Sequence, residues 1–436
     1  MEGTDLVADL IGIVFTMLSV TVTLLYSYYV YFGILGFMKH KPSPEVRPKK
    51  SIAILLPAYR EESVIGETIR NLKALDYPKD LYDIYVVIDT PDDMTGPAAE
   101  KEGAKVLVRN NTKNAGRGYA VKWGLEEVRR RKDYDAYIIM DADNSLSKNY
   151  LAKMNNELVA GHGIIQGNIR SKNPKENWVT RTIHVDYATR NRFVKQPRQD
   201  HKLCVFMEPG ICISREVLDK VPFDAVTISE DIEYTSKLSC AGVHIRWIYD
   251  ADIFEEKPSS IKIAIKQRHK WMLGHTIVLK RYTGRLFWRA LRKGDTIAWD
   301  CATYILVPAL MVVYFFFFVA YILSGSNFTL LALLPRGSVD PTLIWISTIV
   351  NTLVGFWWIA VPLYALHLEG ERMREYWYTP FTMMILFFIQ LLLFVAVIFK
   401  RDKKTYWHTP HATSPASRSV ENAPAADPPA SQESSK

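Results

Sequence analysis

The chain has 436 residues, room for two or three domains. Its hydrophobic fraction of 48% is near average for a globular protein, but the apolar residues are gathered into long stretches nearly free of charge, which excludes a wholly water-soluble molecule. The formal net charge of +8 comes without a basic stripe interleaved with aromatics, so no nucleic acid is expected as a partner.

Residues 6–38, 304–323, 341–366 and 379–399 are the apolar stretches. Each is about 20 residues or longer, enough to cross ~30 Å of hydrocarbon at ~1.5 Å per residue. The first is too long for a signal peptide and lacks a basic n-region, so it reads as a signal anchor, with three spans to follow. Lys and Arg cluster at 39–50, after the first span, and at 400–404, after the last. By the positive-inside rule the first cluster places the middle region in the cytoplasm. Three later spans would then leave 400–404 outside, against the same rule. Either one apolar segment does not fully cross, or a further one lies within 259–292. The four cysteines form no C-x-x-C pair and read as reduced structural thiols of a cytosolic domain.

A Pro/Lys-rich linker over 39–50 leads to a short buried strand at 51–57, ended by Pro57. Apolar residues at helical period follow in 61–75. A strand at 82–88 closes on Asp89, and a helix-like 97–103 precedes a third strand at 105–108. A helix over 118–131 then feeds a fourth strand at 136–140. Strands alternating with helices imply parallel βαβ units in a doubly wound sheet, whose ligands gather at strand carboxyl ends. Asp89, Asp141 and Asp143 all fall at such ends.

The fourth strand runs Tyr137-Ile138-Ile139-Met140 and stops in Asp141-Ala142-Asp143-Asn144. Carboxylates at i and i+2 at the end of a strand share a face. Two hard oxygen ligands there suit a divalent cation that also holds phosphates. A strand-to-loop turn is the plain alternative, since Asp and Asn favour turns.

Beyond it the pattern is mixed, with a helix at 147–158, a strand at 163–168 and a polar, aromatic stretch over 173–193. Glu208-Pro209-Gly210 reads as a turn. Ser229-Glu230-Asp231 precedes a helix-like 232–241, and Thr227 with Glu230 also fits a capping box, which would make the segment a helix start and nothing more. A short strand spans 243–249. Residues 259–292 are rich in Lys, Arg, Trp and Ile at helical spacing, as in a basic amphipathic helix on a bilayer surface. That segment contains Gln267-Arg268-His269-Lys270-Trp271. Residues 409–436 are rich in Pro, Ala and Ser and read as a disordered tail.

Taken in order, these stretches resemble the membrane-embedded family 2 glycosyltransferases, which include cellulose, chitin, hyaluronan and poly-N-acetylglucosamine synthases. The resemblance covers roughly residues 50–275. It rests on Leu55-Leu56-Pro57-Ala58-Tyr59-Arg60-Glu61-Glu62, Val86-Val87-Ile88-Asp89, the Asp141-Ala142-Asp143 match to D-x-D, the Ser229-Glu230-Asp231 match to T-E-D and the Gln267 to Trp271 match to Q-x-x-R-W. It implies a GT-A-like doubly wound mixed sheet, with interfacial amphipathic helices and about four transmembrane helices. The layout would be an anchor at 1–38, a cytosolic catalytic domain at 39–258, interfacial helices at 259–300, transmembrane helices at 301–400 and the tail at 401–436, in a multi-pass protein of the cell membrane.

By the same resemblance, Pro57, Tyr59, Glu61, Asp89, Arg117 and Asp141 bind the nucleotide sugar, Asp89 contacting the uracil. Asp143 contacts a Mg²⁺ or Mn²⁺ ion, and Asp231 is the general base. Glu230, Gln267, Arg268, Lys270 and Trp271 attend the acceptor and the diphosphate. For Arg117, in Gly116-Arg117-Gly118, a solvated loop charge is the equal alternative. The implied reaction is inverting transfer from a UDP-sugar to a growing polysaccharide, with export of the chain between the spans. A single addition to a lipid or cell-envelope acceptor is the alternative, and a catalytically dead transporter or scaffold a third reading. The sequence departs from the family at Lys270, where arginine is usual; lysine keeps the charge but not the planar two-pronged grip on phosphate. Glu208-Pro209-Gly210 stands where a Gly-Thr-Gly-like acceptor turn is usual, and Asp89-Thr90-Pro91-Asp92-Asp93 lacks the small-residue turn often found there.

Overall fold

In the computed structural model, residues 2–38, 43–111, 114, 116–323 and 341–398 are described. The basic cluster at 400–404 and the tail at 401–436 lie outside them. Helix α1 (Glu2–Leu35) is followed by β1 (Ile52–Pro57), α2 (Ile65–Lys73), β2 (Tyr82–Ile88), α3 (Thr95–Lys101), β3 (Lys105–Val108), α4 (Arg117–Arg131) and β4 (Ala136–Ile139). Next come β5 (Ser145–Leu146), α5 (Tyr150–Val159), β6 (Ile164–Ser171), α6 (Trp178–Arg190), α7 (Gln196–Asp200), β7 (Ile211–Ser214), α8 (Arg215–Lys220), α9 (Glu230–Ala241) and β8 (Arg246–Glu255). The chain continues through α10 (Ile261–Lys293), α11 (Thr296–Leu323), α12 (Pro341–Leu368) and α13 (Thr379–Ile398). The stretch at 173–193, given no element from its sequence, folds largely as α6. Its polar, aromatic composition hides the helical period because α6 is covered on more than one side.

The strands form one sheet in the order β3-β2-β1-β4-β7-β6-β8-β5. β1 pairs in parallel with β2 and β4, and β2 with β3, whereas β7 runs antiparallel to both β4 and β6. The sheet is therefore mixed, as the family resemblance implies. The strand pleat sorts side chains onto two cores. Ile52, Ile54, Leu56, Val86, Ile88 and Ile138 join one cluster, with α2 and α5 contributing Ile65, Ile69 and Leu151. Ala53, Leu55, Tyr85, Val87, Tyr137 and Ile139 join the other, with α4 and α9 contributing Val121, Leu125 and Leu238. Each fully buried Leu or Ile here contributes roughly 1.5–3 kcal/mol, and the two-sided burial explains why these strands read as continuous apolar runs.

Register decides where the site lies. Leu55 pairs with Ile139, and Pro57 with Val87. Asp141 and Asp89 each stand two residues past those partners, so both emerge at the carboxyl edge of the sheet beside the loop that follows β1.

Three helical segments are long and apolar enough to cross a membrane: Ile11–Leu35, Thr296–Ala320 and Thr379–Ile398; Phe356–Leu368 of α12 is a shorter apolar stretch. Against about four expected membrane helices, three among the described residues thus reach that length. Helix α1 runs beside α11, with Tyr28 Oη donating to Asp300 Oδ1 (2.9 Å) near one end and Phe15 stacked on Tyr314 toward the other. The contacts of α13 are of another kind. Thr382 hydrogen-bonds Thr182 of α6 (2.6 Å), and Leu386 joins the core cluster that holds Ala264 of α10. Further along, Gln390 meets Arg268, Phe394 packs edge-on to His275, and the Ile398 carbonyl accepts from Lys280 Nζ (3.0 Å). From its first turns to its last residue α13 rests on α6 or α10.

Candidate active site

The loop after β1 is held by the loop after β2. The main-chain N–H of Arg60 donates to Asp93 Oδ2 (3.0 Å), and that of Glu61 donates to Thr95 Oγ1 (2.8 Å), which itself donates to Asp93 Oδ1 (2.6 Å). Arg60 sits at φ 58°, a conformation that needs such fastening in a non-glycine residue. Asp93, buried, thus accounts for the last carboxylate of the unusual Asp89 to Asp93 sequence: it holds Arg60 directly and Glu61 through Thr95. Asp89 itself accepts from Arg109 Nε (2.7 Å), and Arg109 also donates to the carbonyls of Asn111 and Asn114. Arg109 escaped the sequence reading because it has no motif around it, only its place directly after β3.

Asp141 and Asp143 belong to a turn closed by Asn144 N–H to Asp141 O (3.3 Å). The turn reading and the ligand reading of this segment are therefore compatible. Thr68 Oγ1 donates to the Ala142 carbonyl (2.7 Å) and Lys172 Nζ to the Asp143 carbonyl (2.6 Å), fixing the turn from both sides. Burial pushes the Lys172 amine below its usual range, against the pull of Asp143 and Glu67.

Arg117 opens α4 and binds two motifs at once. Its Nε donates to Asp141 Oδ1 (2.6 Å), and its Nη1 donates to Glu230. Although burial opposes the charged form, these two carboxylates hold the guanidinium above its usual range. The alternative of a solvated loop charge is overturned by these partners. The capping box proposed between Thr227 and Glu230 is absent as well. Glu230 turns to Arg117, the N–H groups of Val226 and Thr227 donate instead to Glu233 Oε2 (3.0 Å each), and Thr227 Oγ1 is buried without a partner.

Asp231, in the first turn of α9, accepts from Ile232 N–H (2.7 Å). Burial first, then the neighbouring Glu230 charge, pushes its carboxyl up to about 7, while Arg117 pulls the other way. A carboxylate titrating there is matched to proton transfer at neutral pH. Helix α10 lies across this region because Gly274 lets it: a Cβ at that position would stand 1.9 Å from Ser229 Oγ.

One cavity of about 1700 Å³ collects these groups. Pro57, Tyr59, Glu61, Asp89, Arg117, Asp141, Asp143, Glu230, Asp231, Gln267, Arg268, Lys270 and Trp271 all line it. The same cavity continues between α1, α11, α12 and α13, where Tyr26, Met311, Trp357, Phe387 and Phe394 form its wall. Between the two ends stand buried ion pairs absent from the sequence reading: Lys195 with Glu208, and Lys257 with Glu255 (2.7 Å). Glu208 and Lys257 face the cavity. The Glu208-Pro209-Gly210 segment is a turn as expected, placed beside D-x-D by Gly210 N–H donating to the Ile139 carbonyl (2.7 Å).

No set of three or more His, Cys, Asp or Glu side chains among the described residues is placed to share a metal ion. Asp141 and Asp143 offer hard oxygen donors at one spot, and a magnesium-like ion commonly takes one or two carboxylates plus substrate phosphate oxygens. The donor set fits an ion whose shell the substrate completes.

The family described as "Glycosyltransferase like family 2" matches residues 48–274, more than half of the chain. "Probable glycosyltransferase YdaM" of Bacillus subtilis (strain 168) is 28% identical over 290 residues, 64% of this chain and 65% of that one. A beta-monoglucosyldiacylglycerol synthase of Synechocystis is 24% identical over 234 residues, 52% of this chain and 48% of that one. The chain thus spans about half to two thirds of the length of these relatives. Among solved structures, the mannosyltransferase PcManGT of Pyrobaculum calidifontis, in complex with GDP-Man and Mn²⁺, superposes with a TM-score of 0.56 at 15% identity. That match covers 89% of this chain and 99% of that one, and it shows the shared fold.

Proposed function

Since the chain belongs to the glycosyltransferase-like family 2, we propose that it moves a sugar, with inversion, from a UDP-sugar to a hydroxyl group of a lipid-borne acceptor at the membrane. The observation that carries this reading is the continuity of one cavity from the Asp141, Asp143 and Asp231 carboxylates to apolar walls on α1, α11, α12 and α13. A chamber of that lining favours an amphiphile whose tail stays among the helices while its headgroup reaches Asp231.

In the proposed reaction the acceptor oxygen attacks the anomeric carbon as Asp231 takes its proton. The bond from that carbon to the diphosphate oxygen breaks, and its electron pair leaves with UDP. Attack opposite the leaving group inverts the anomeric centre. Asp143, supported by Asp141, would hold a Mg²⁺ or Mn²⁺ ion, which when bound neutralises charge on the departing diphosphate. Asp89, kept in place by Arg109, faces the base, and the fastened loop from Pro57 to Glu61 shapes the nucleotide pocket. Gln267, Lys270 and Trp271 close the pocket from α10. The basic segment before β1 favours a multi-pass arrangement with the catalytic domain on the cytoplasmic side.

Growth of a polysaccharide is the second reading. It is favoured by the aromatic side chains Tyr26, Trp357 and Trp358 in the chamber, whose faces can stack on sugar rings. Membranes incubated with a panel of labelled UDP-sugars, with Mg²⁺ or Mn²⁺, separate the two. Label in a solvent-extractable lipid supports single addition; label in insoluble or high-mass polymer supports the second reading. Failure of every UDP-sugar to release UDP would sink both.

A further inference from the structure

Arg268 occupies a position that the Q-x-x-R-W motif leaves unspecified, and it is only 9% exposed. Its Nη1 donates to Gln390 Oε1 of α13 (2.7 Å), and its guanidinium lies 6.0 Å from the Trp271 ring centroid. Among the described residues it has no ion-pair partner at salt-bridge distance. The charged groups acting on it are Asp186 and Arg190 of α6, and Asp186 already pairs with Arg190 (3.0 Å). Two guanidiniums therefore share one carboxylate. The other cations of this wall, Lys195 and Lys257, are each matched by a glutamate. Arg268 thus carries its charge buried beside an apolar chamber, without a carboxylate at salt-bridge distance among the described residues.

Burial lowers the Arg268 pKa and Asp186 restores it only in part, so the free protein holds this charge at a cost in stability. Gln390 uses its carbonyl oxygen on Arg268, which leaves its amide NH₂ as a second donor at the same spot. A guanidinium fork beside an amide donor suits a tetrahedral oxyanion better than it suits a neutral sugar. The Arg268 side chain engages α13 through Gln390 and feels the Asp186–Arg190 pair of α6.

We propose that Arg268 and Gln390 form a phosphate subsite for the acceptor, which is then a phosphate-bearing lipid whose headgroup also carries the hydroxyl presented to Asp231. The inference rests on the lipid-acceptor reading and specifies the headgroup. It assigns Arg268 to the acceptor rather than to the donor diphosphate. It also assigns a role to Gln390, the one amide side chain within α13.

The full chain in neutral alkyl-maltoside micelles provides the test, with phosphatidylglycerol and diacylglycerol of the same acyl chains as probes. The expected result is that phosphatidylglycerol binds at least tenfold more tightly than diacylglycerol. Arg268→Gln should bring that ratio close to one, Arg268→Lys should keep part of it, and Gln390→Leu should reduce it a few-fold. UDP with Mn²⁺ should bind Arg268→Gln within twofold of the parent, which also shows that the variant is folded, and should bind Asp143→Asn much more weakly. An unchanged ratio in Arg268→Gln would overturn the subsite. Loss of UDP binding in that variant equal to the loss in Asp143→Asn would reassign Arg268 to the donor diphosphate and overturn it too. Failure of the lipid-acceptor reading shows up separately, as absence of labelled lipid product while the binding ratio stays intact.

Discussion

The donor edge and the acceptor edge of this cavity are built on opposite plans. The donor edge hangs from the ends of three adjacent parallel strands, and its loops are tied by side-chain hydrogen bonds: Asp93 to the Arg60 N–H, Arg109 to the Asp89 carboxylate, Lys172 to the Asp143 carbonyl. The acceptor edge is assembled from helices far apart in the chain, α6, α10 and α13, and its polar groups are buried among apolar ones. The first plan gives rigid placement of charge; the second gives a roomy apolar wall with a few polar contacts. A transferase needs both, a fixed site for departing charge and a tolerant one for a bulky acceptor.

Asp231 stands where the two edges meet, and its removal should have the largest effect. Asp231→Asn is expected to lower transfer about 10³-fold, the scale of a lost general base, with UDP binding measured by titration unchanged within twofold. The folded carboxyl titrates at about 7, against roughly 4 in an unfolded chain. Folding thus opposes its ionisation, and the stability associated with the protonated form is lost as pH rises from about 4 through 7. Asp231→Asn should therefore raise the Tm at pH 8, and the parent's kcat/KM should rise with unit slope below about pH 7 and level off above it. A variant both inactive and less stable than the parent at pH 8 would mean that burial does not raise the Asp231 carboxyl.

Gly274→Ala tests whether α10 must lie against α9. The added Cβ would collide with Ser229, displacing Gln267, Lys270 and Trp271. A shift near 1 Å is expected to cost about 10²-fold in rate, with partial rescue in the Ser229→Gly background. Arg117→Gln removes the link between Asp141 and Glu230; losing ~2 kcal/mol of charge-assisted bonding corresponds to about 30-fold in kcat/KM. Since Arg117 holds the Asp231 carboxyl down, the pH profile should also move to higher pH. Asp93→Ala belongs to the donor edge alone: about a tenfold rise in donor KM, ~1.4 kcal/mol, with acceptor KM unaltered. An equal rise in both would erase the distinction between the edges. Lys270→Arg is the mildest, about threefold tighter retention of UDP, since a guanidinium adds a second prong on phosphate.

Much of the donor edge was legible in the sequence. Continuous apolar runs such as residues 52–56 mark strands buried on two faces, and an acid directly after such a run marks a strand's carboxyl end. The helical stretches with too little charge to dissolve were equally plain. On the acceptor edge only the α10 motif was legible, because α6 and α13 carry their functional groups outside any motif. Asp186 and Arg190 are an ordinary i, i+4 helix pair, and nothing local distinguishes Gln390 from a tolerated polar residue in an apolar helix. Glu230 misled for the opposite reason: its spacing from Thr227 matches a capping box, yet a guanidinium 113 positions away claims it.

From the sequence alone came the strand ends with their carboxylates, the order of the motifs and the apolar segments, since each depends on residues adjacent in the chain or on one element's period. Only the tertiary structure decided that Arg117 joins Asp141 to Glu230, that α13 lies along α10, and that Arg268 meets Gln390 across 122 positions. Such pairings depend on how the packed elements close on one another, and side-chain periodicity carries no record of that closure.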